Sequence, residues 1–188
     1  MRKLIAQQWV TLDNIVAEED GGLGFVSGEP FDDGTRTPFQ DSAMNLIESV
    51  DTMILGATTY TQSTGWATAD DQGEYGRKLN ELAKFVASST LDDAPWGDFP
   101  AATVVADPAA TIRRLREQDG KNLWLWGSLT LMQSLFDEGL IDEVRLLVCP
   151  TTRGAGRRFF QDRQDLSLIE ATGFENGVVL LRYEVKSK

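Results

Sequence analysis

The chain contains no histidine and a single cysteine, Cys149, in 188 residues. Without an imidazole it cannot build a Ser-His-Asp or Cys-His catalytic unit, a His-ligated metal site or an imidazole proton shuttle. One thiol excludes an intrachain disulfide, a CxxC redox pair and a Cys-ligated zinc. Long apolar runs are missing too, since no segment approaches the roughly 18 residues of a membrane span. Arg2-Lys3 opens the chain as a signal peptide would, but Gln7 and Gln8 interrupt the apolar run and no small-residue cleavage site follows. These absences predict a cytoplasmic protein whose chemistry rests on carboxylates, hydroxyls, backbone groups or a borrowed cofactor.

Basic charge is scarce. With 18 basic and 29 acidic residues the net charge is −11, which argues against a general nucleic-acid or anionic-membrane surface. Residues 1–50 carry three basic and nine acidic side chains, whereas residues 151–188 carry seven basic and five acidic. That contrast is either ordinary surface variation or an anion-friendly surface near the C-terminus.

The length suits one domain spanning 1–188. Residues 3–12, 52–56, 84–88, 102–106, 123–127, 144–150, 166–172 and 178–185 read as strands. Helices are expected at 41–50, at about 74–83, after Asp107-Pro108 as far as Gly120, and over 129–138 behind Ser128 as cap. The stretch from about 18 to 40 is a long loop rich in Gly, Asp, Glu and Pro, and Asn176-Gly177 signals a hairpin. Strand and helix alternate until an antiparallel pair closes the chain. The expected class is α/β, with a mixed, mostly parallel sheet.

Three strand ends offer hydroxyls or helix amides to an anion. Gly127-Ser128-Leu129-Thr130 is either a plain strand-to-helix turn or a pyrophosphate cradle formed by the amides of residues 128–130. Gly56 with Thr58 and Thr59 is a second candidate, or merely a capped helix start. Ser88-Ser89-Thr90 is a third, or ordinary loop hydroxyls. GGLG (21–24) lacks the context of a dinucleotide fingerprint. GAGRRFF (154–160) reads as a turn or short connection because Arg157 and Arg158 stand where a small residue is needed. Asp13 and Asp41 are the candidate catalytic carboxylates, with turn residue and helix cap as their plainer roles. Trp9, Trp66, Trp124 and Trp126 are expected in core or edge packing.

Together, MRKLIAQQWVTLD, DTMILGATTY, KFVASSTLDD and the run from NLWLWGSLTLMQSLFDEGL to NGVVLLRYE resemble the dihydrofolate reductase-like family. The resemblance is to its branch related to the C-terminal reductase domain of riboflavin biosynthesis, and it covers almost the whole chain. It implies about eight strands in a mixed sheet, a homodimer and NADPH as hydride donor. It also implies that Gly56 and Thr58 form the first phosphate turn. Ser88 and Ser89 would lie near the adenosine 2′-phosphate, and Gly127, Ser128, Leu129 and Thr130 at the pyrophosphate. Ala57 stands where family members carry Arg, so NADH remains an alternative donor, and Asn14 replaces the usual Gly after the first strand. The expected function is reduction of a small heterocycle (pyrimidine or pterin type) or a carbonyl compound. A non-catalytic ligand-binding module is the alternative, and an interaction protein docking through its acidic loop is a third.

Overall fold

The computed structural model describes residues 1–26, 36–69 and 73–186. The part of the expected long loop from 27 to 35, and the side chain of Trp66, lie outside the described residues. In chain order the elements are β1 (Leu4–Thr11), β2 (Ile15–Ala17), α1 (Pro38–Ser49), β3 (Val50–Gly56), α2 (Ala57–Ala67), α3 (Gly73–Glu81), β4 (Ala83–Ala87), β5 (Thr103–Val105), α4 (Pro108–Arg116), β6 (Asn122–Trp126), α5 (Leu129–Asp137), β7 (Glu143–Cys149), β8 (Arg157–Arg158), β9 (Leu166–Gly173) and β10 (Val179–Val185). Eight strands join one sheet in the order β5-β4-β3-β6-β1-β7-β10-β9. The first six run parallel, and the hairpin β9–β10 adds antiparallel to β7. The expected α/β class with an antiparallel C-terminal pair is what the chain adopts.

Neighbouring residues on a strand face opposite sides of the sheet, so its apolar runs feed two cores. Leu4, Ala6, Leu123, Leu125, Val144 and Leu146 pack under α4 and α5. Ile5, Met53, Leu55 and Trp124 pack under α1, α2 and α3 on the other face. Both faces of the parallel part are thus covered, which explains its near-continuous hydrophobic strands.

Several boundaries differ from the sequence expectation. The first helix starts at Pro38 rather than 41, because Thr37 and Gln40 form a reciprocal capping box around a proline in the first turn. Asp41 is therefore not the cap; it is exposed in the first turn and pairs with Arg36 at 3.1 Å. The helix behind Asp107 ends at Arg116, short of Gly120. Residues 157–158 are not a plain turn, since β8 pairs antiparallel with β2 in a small second sheet. β2 follows the carboxyl end of β1 after three residues, so the small sheet starts there.

Candidate functional site

The carboxyl ends of β3 and β6 are adjacent, yet the helices leaving them diverge. α2 leaves β3 for one face and α5 leaves β6 for the other. This is a switch point, where an open α/β sheet forms a ligand crevice at its strand ends. The two turns are stapled together. The Ser128 hydroxyl accepts from the Gly56 amide at 2.6 Å and donates to the Trp126 carbonyl at 3.0 Å, while the Ser128 amide donates to Thr59 Oγ1 at 2.9 Å. Gly127 takes φ +59°, and a Cβ there would meet Thr59 Cγ2 at 3.0 Å. The close approach of the two turns thus requires glycine.

This geometry corrects two expectations. Ser128 does not cap α5; it sits in the left-handed region at φ 62°, ψ 53° with no side-chain cap bond. Its amide, and that of Gly56, already have acceptors. The first intrahelical bond of α5 runs from the Met132 amide to the Ser128 carbonyl, so the amides of Leu129, Thr130 and Leu131 have no partner within the helix. The anion-facing amides therefore begin one residue later than the sequence suggested.

A cleft of about 820 Å³ opens here, towards the upper end of the roughly 300–1,000 Å³ usual for small-molecule sites. Gly56, Thr58, Gly127, Ser128, Leu129 and Thr130 all line it. Arg157, set aside on sequence grounds, lines it too: the β2–β8 pairing brings its guanidinium to donate to Thr130 Oγ1 at 3.2 Å. Its signal in the sequence was the basic balance of residues 151–188. Trp9 and Trp126 are likewise more than packing, since both line the cleft, whereas Trp124 is buried and stacks on Trp126 at 5.5 Å.

The remaining candidates lie outside the cleft. Ser88 and Ser89 follow Ala87, which lines it opposite Gly56. The Ser88 hydroxyl accepts from the Thr90 and Leu91 amides at 3.1 Å and so ties its own turn, while Ser89 is exposed. Asp13 accepts from the Thr11 hydroxyl, from the Gly154 amide at 2.7 Å and from the Arg153 amide at 3.1 Å. The Thr11 hydroxyl, followed by the Gly154 amide, holds this carboxyl below its ordinary range. That is the reverse of a raised general acid. Asp41 lies away from the cleft, and among the described lining residues there is no carboxylate.

The sequence matches the family model of the RibD C-terminal domain over residues 2–180. The chain belongs to the RibD C-terminal domain family. It is 25% identical to the Bacillus subtilis (strain 168) protein YyaP, over 97% of this chain and 94% of that one. It is 24% identical to YwjB of the same organism, over 86% and 84%. Among solved structures, a Shewanella sp. PV-4 protein assigned to riboflavin biosynthesis superposes with a TM-score of 0.75 at 21% identity, covering 98% of this chain and 99% of that one. Acinetobacter baumannii RibD superposes with a TM-score of 0.68 at 16% identity, over 99% of this chain but 58% of that one. A Thermotoga maritima deaminase and 5-amino-6-(5-phosphoribosylamino)uracil reductase gives 0.66 at 12% identity, over 98% and 57%. At these identities the structural likeness carries the fold. Among the described residues no helix is long and apolar enough to cross a membrane.

Proposed function

We propose that this RibD C-terminal domain protein is a reductase that binds NADPH, or NADH, and passes hydride to a small heterocyclic substrate of pyrimidine or pterin type. The observation that carries this reading is the pair of diverging helix N-termini, stapled through Gly56, Gly127 and Ser128, at the mouth of one cleft. The donor set suits a dinucleotide. Helix amides from Leu129 to Leu131, the hydroxyls of Thr58 and Thr130, and Arg157 can meet phosphate without a close carboxylate. A side chain at residue 127 would press on Thr59 and part the two turns that present these donors.

When bound, the nicotinamide supplies the hydride. The chain's own part is to hold phosphate at the helix N-termini, to present Gln7, Trp9 and Trp126 to planar rings, and to exclude bulk water from the cleft. With no histidine and no carboxylate among the described lining residues, the accompanying proton comes from water in this reading. Homodimerisation belongs to the same proposal and is supported by Leu168 and Ile169, exposed on the sheet-edge strand β9.

The test is to titrate NADPH and NADH while following thermal stability, then to follow loss of the reduced nicotinamide with candidate pterins, pyrimidines and carbonyl compounds. No thermal shift with either dinucleotide at millimolar concentration would sink the proposal. A second reading, a non-catalytic binding module of the same fold, is favoured by the missing lining acid and by Ala57. It predicts stabilisation without oxidation.

A further inference from the structure

Residues paired across the sheet form a transverse row over five strands: Trp126 on β6, Gln7 on β1, Arg145 on β7, Arg182 on β10 and Glu170 on β9. Strand parity places this row on the α1 side, in line with Ile5 and Trp124. At its far end the charges neutralise each other, since Arg182 donates to Glu143 at 2.7 Å and to Glu170 at 3.0 Å. In the middle Arg145 is 6% exposed and makes no ion pair with a carboxylate among the described residues. Its Nε donates instead to Gln7 Oε1 at 3.0 Å, and its Nη2 donates to the Ser42 carbonyl of α1 at 2.8 Å. At the near end Gln7 lines the cleft beside Trp126.

A guanidinium has donors only, so the Gln7 amide must turn its oxygen to Arg145. Its two Nε2 hydrogens are left over and have no acceptor among the described residues. A free glutamine amide offers a ligand either an oxygen or a nitrogen. This one is fixed as a donor, because flipping it would set two donors against each other inside the sheet.

We propose that Gln7 is a specificity-determining donor that selects a ring oxo group over a ring amino group on the planar heterocycle lying against Trp126, and that Arg145 is its positioning residue. This inference rests on the reductase reading and names the residue pair that would set the choice between oxo and amino substituents.

The probes are 5,6-diaminouracil and 2,4,5,6-tetraaminopyrimidine, which differ in oxo against amino substitution. Binding is read by tryptophan fluorescence in the presence of NADPH, whose own binding is measured separately by thermal shift. The wild-type protein should prefer the diaminouracil by about tenfold or more, the worth of roughly one buried hydrogen bond and its mismatch. Gln7→Glu keeps an acceptor for Arg145 but presents a second acceptor to the cleft, so it should reverse the preference. Arg145→Met frees the amide to rotate and should erase the preference while leaving NADPH binding within about twofold. Wild-type binding of neither base, or equal binding of both, overturns the proposal, as does a Gln7→Glu variant that still prefers the oxo ring. If NADPH itself fails to shift the melting temperature, it is the reductase reading that has failed.

Discussion

Replacing Ser128 tests whether the two turns are joined as described. Its backbone lies in the left-handed region, which costs an ordinary residue roughly 1–2 kcal/mol relative to glycine. The hydroxyl offsets this by accepting from the Gly56 amide at 2.6 Å and donating to the Trp126 carbonyl at 3.0 Å. Ser128→Ala keeps the strain and leaves the Gly56 amide without its acceptor, a loss of about 1–3 kcal/mol. Ser128→Gly loses the same bonds but relieves the strain, so its net cost should be smaller by about 1 kcal/mol. At roughly 2–4 °C per kcal/mol for a protein of this size, alanine should lower the melting temperature by about 2–12 °C, and by a few degrees more than glycine does. This inverts the usual order, in which glycine is the more damaging replacement. Circular dichroism melts of the two variants, side by side, decide it. A Ser128→Gly variant that is as unstable as Ser128→Ala, or more so, refutes the left-handed assignment, and a Ser128→Ala variant as stable as the wild type refutes the staple.

Arg157→Ala should weaken NADPH binding about fivefold at low salt, through loss of one exposed charge–phosphate contact of roughly 1 kcal/mol. The deficit should shrink as salt rises, and titrations at two ionic strengths read it. Lys84 is buried with no carboxylate partner among the described residues, donates to the Asn80 and Leu82 carbonyls and lies over Trp96; burial pulls its pKa down to about 8. The unfolded chain then binds more protons between about pH 8 and its ordinary 10.5, so stability should rise with pH across that window. Lys84→Met should flatten the rise in denaturant melts. Asp13 gives a slope of the same sign in the acid range: its carboxyl is held below the ordinary 3.8, so its stabilisation is present above that pH and is lost as pH falls and acid protonates it. Asp13→Asn should lower the melting temperature at neutral pH and remove that part of the acid dependence.

The sheet was legible because most parallel strands are short apolar runs, four of the six closed by Gly, Pro or Asp-Pro, and these signals are local. The start of α1 was also written locally, in Thr37-Pro38 and Gln40, but competed with Asp41, an equally good cap by residue type. Ser128 misled for a different reason. A serine before an apolar helix reads as a cap, yet here its backbone follows Gly127 into the left-handed region and its hydroxyl turns to Gly56, 72 residues earlier. Only the adjacency of β3 and β6 reveals that preference.

Arg157 and Gln7 show where local reading stops. Each owes its place to a partner far along the chain: Arg157 to β2, and Gln7 to Arg145, 138 residues away. A glutamine on an apolar strand carries little information alone, because its amide can face either way. What fixes it is a donor-only neighbour buried in the next strand, and the sequence could show this only once β1 and β7 were known to pair in register. The same pairing explains how an acidic chain can hold an anion. The carboxylate of the row, Glu170, and Glu143 beside it are drawn to Arg182 on the far side of Arg145, so the cleft is lined by hydroxyls, amides and Arg157 rather than by the excess negative charge. Moving one of those carboxylates to the near end should therefore damage phosphate binding more than adding the same charge elsewhere on the surface. Thr58→Glu set against Leu168→Glu on the exposed edge strand, each titrated with NADPH, makes that comparison. Equal losses would mean that net charge, and not its placement, governs the site.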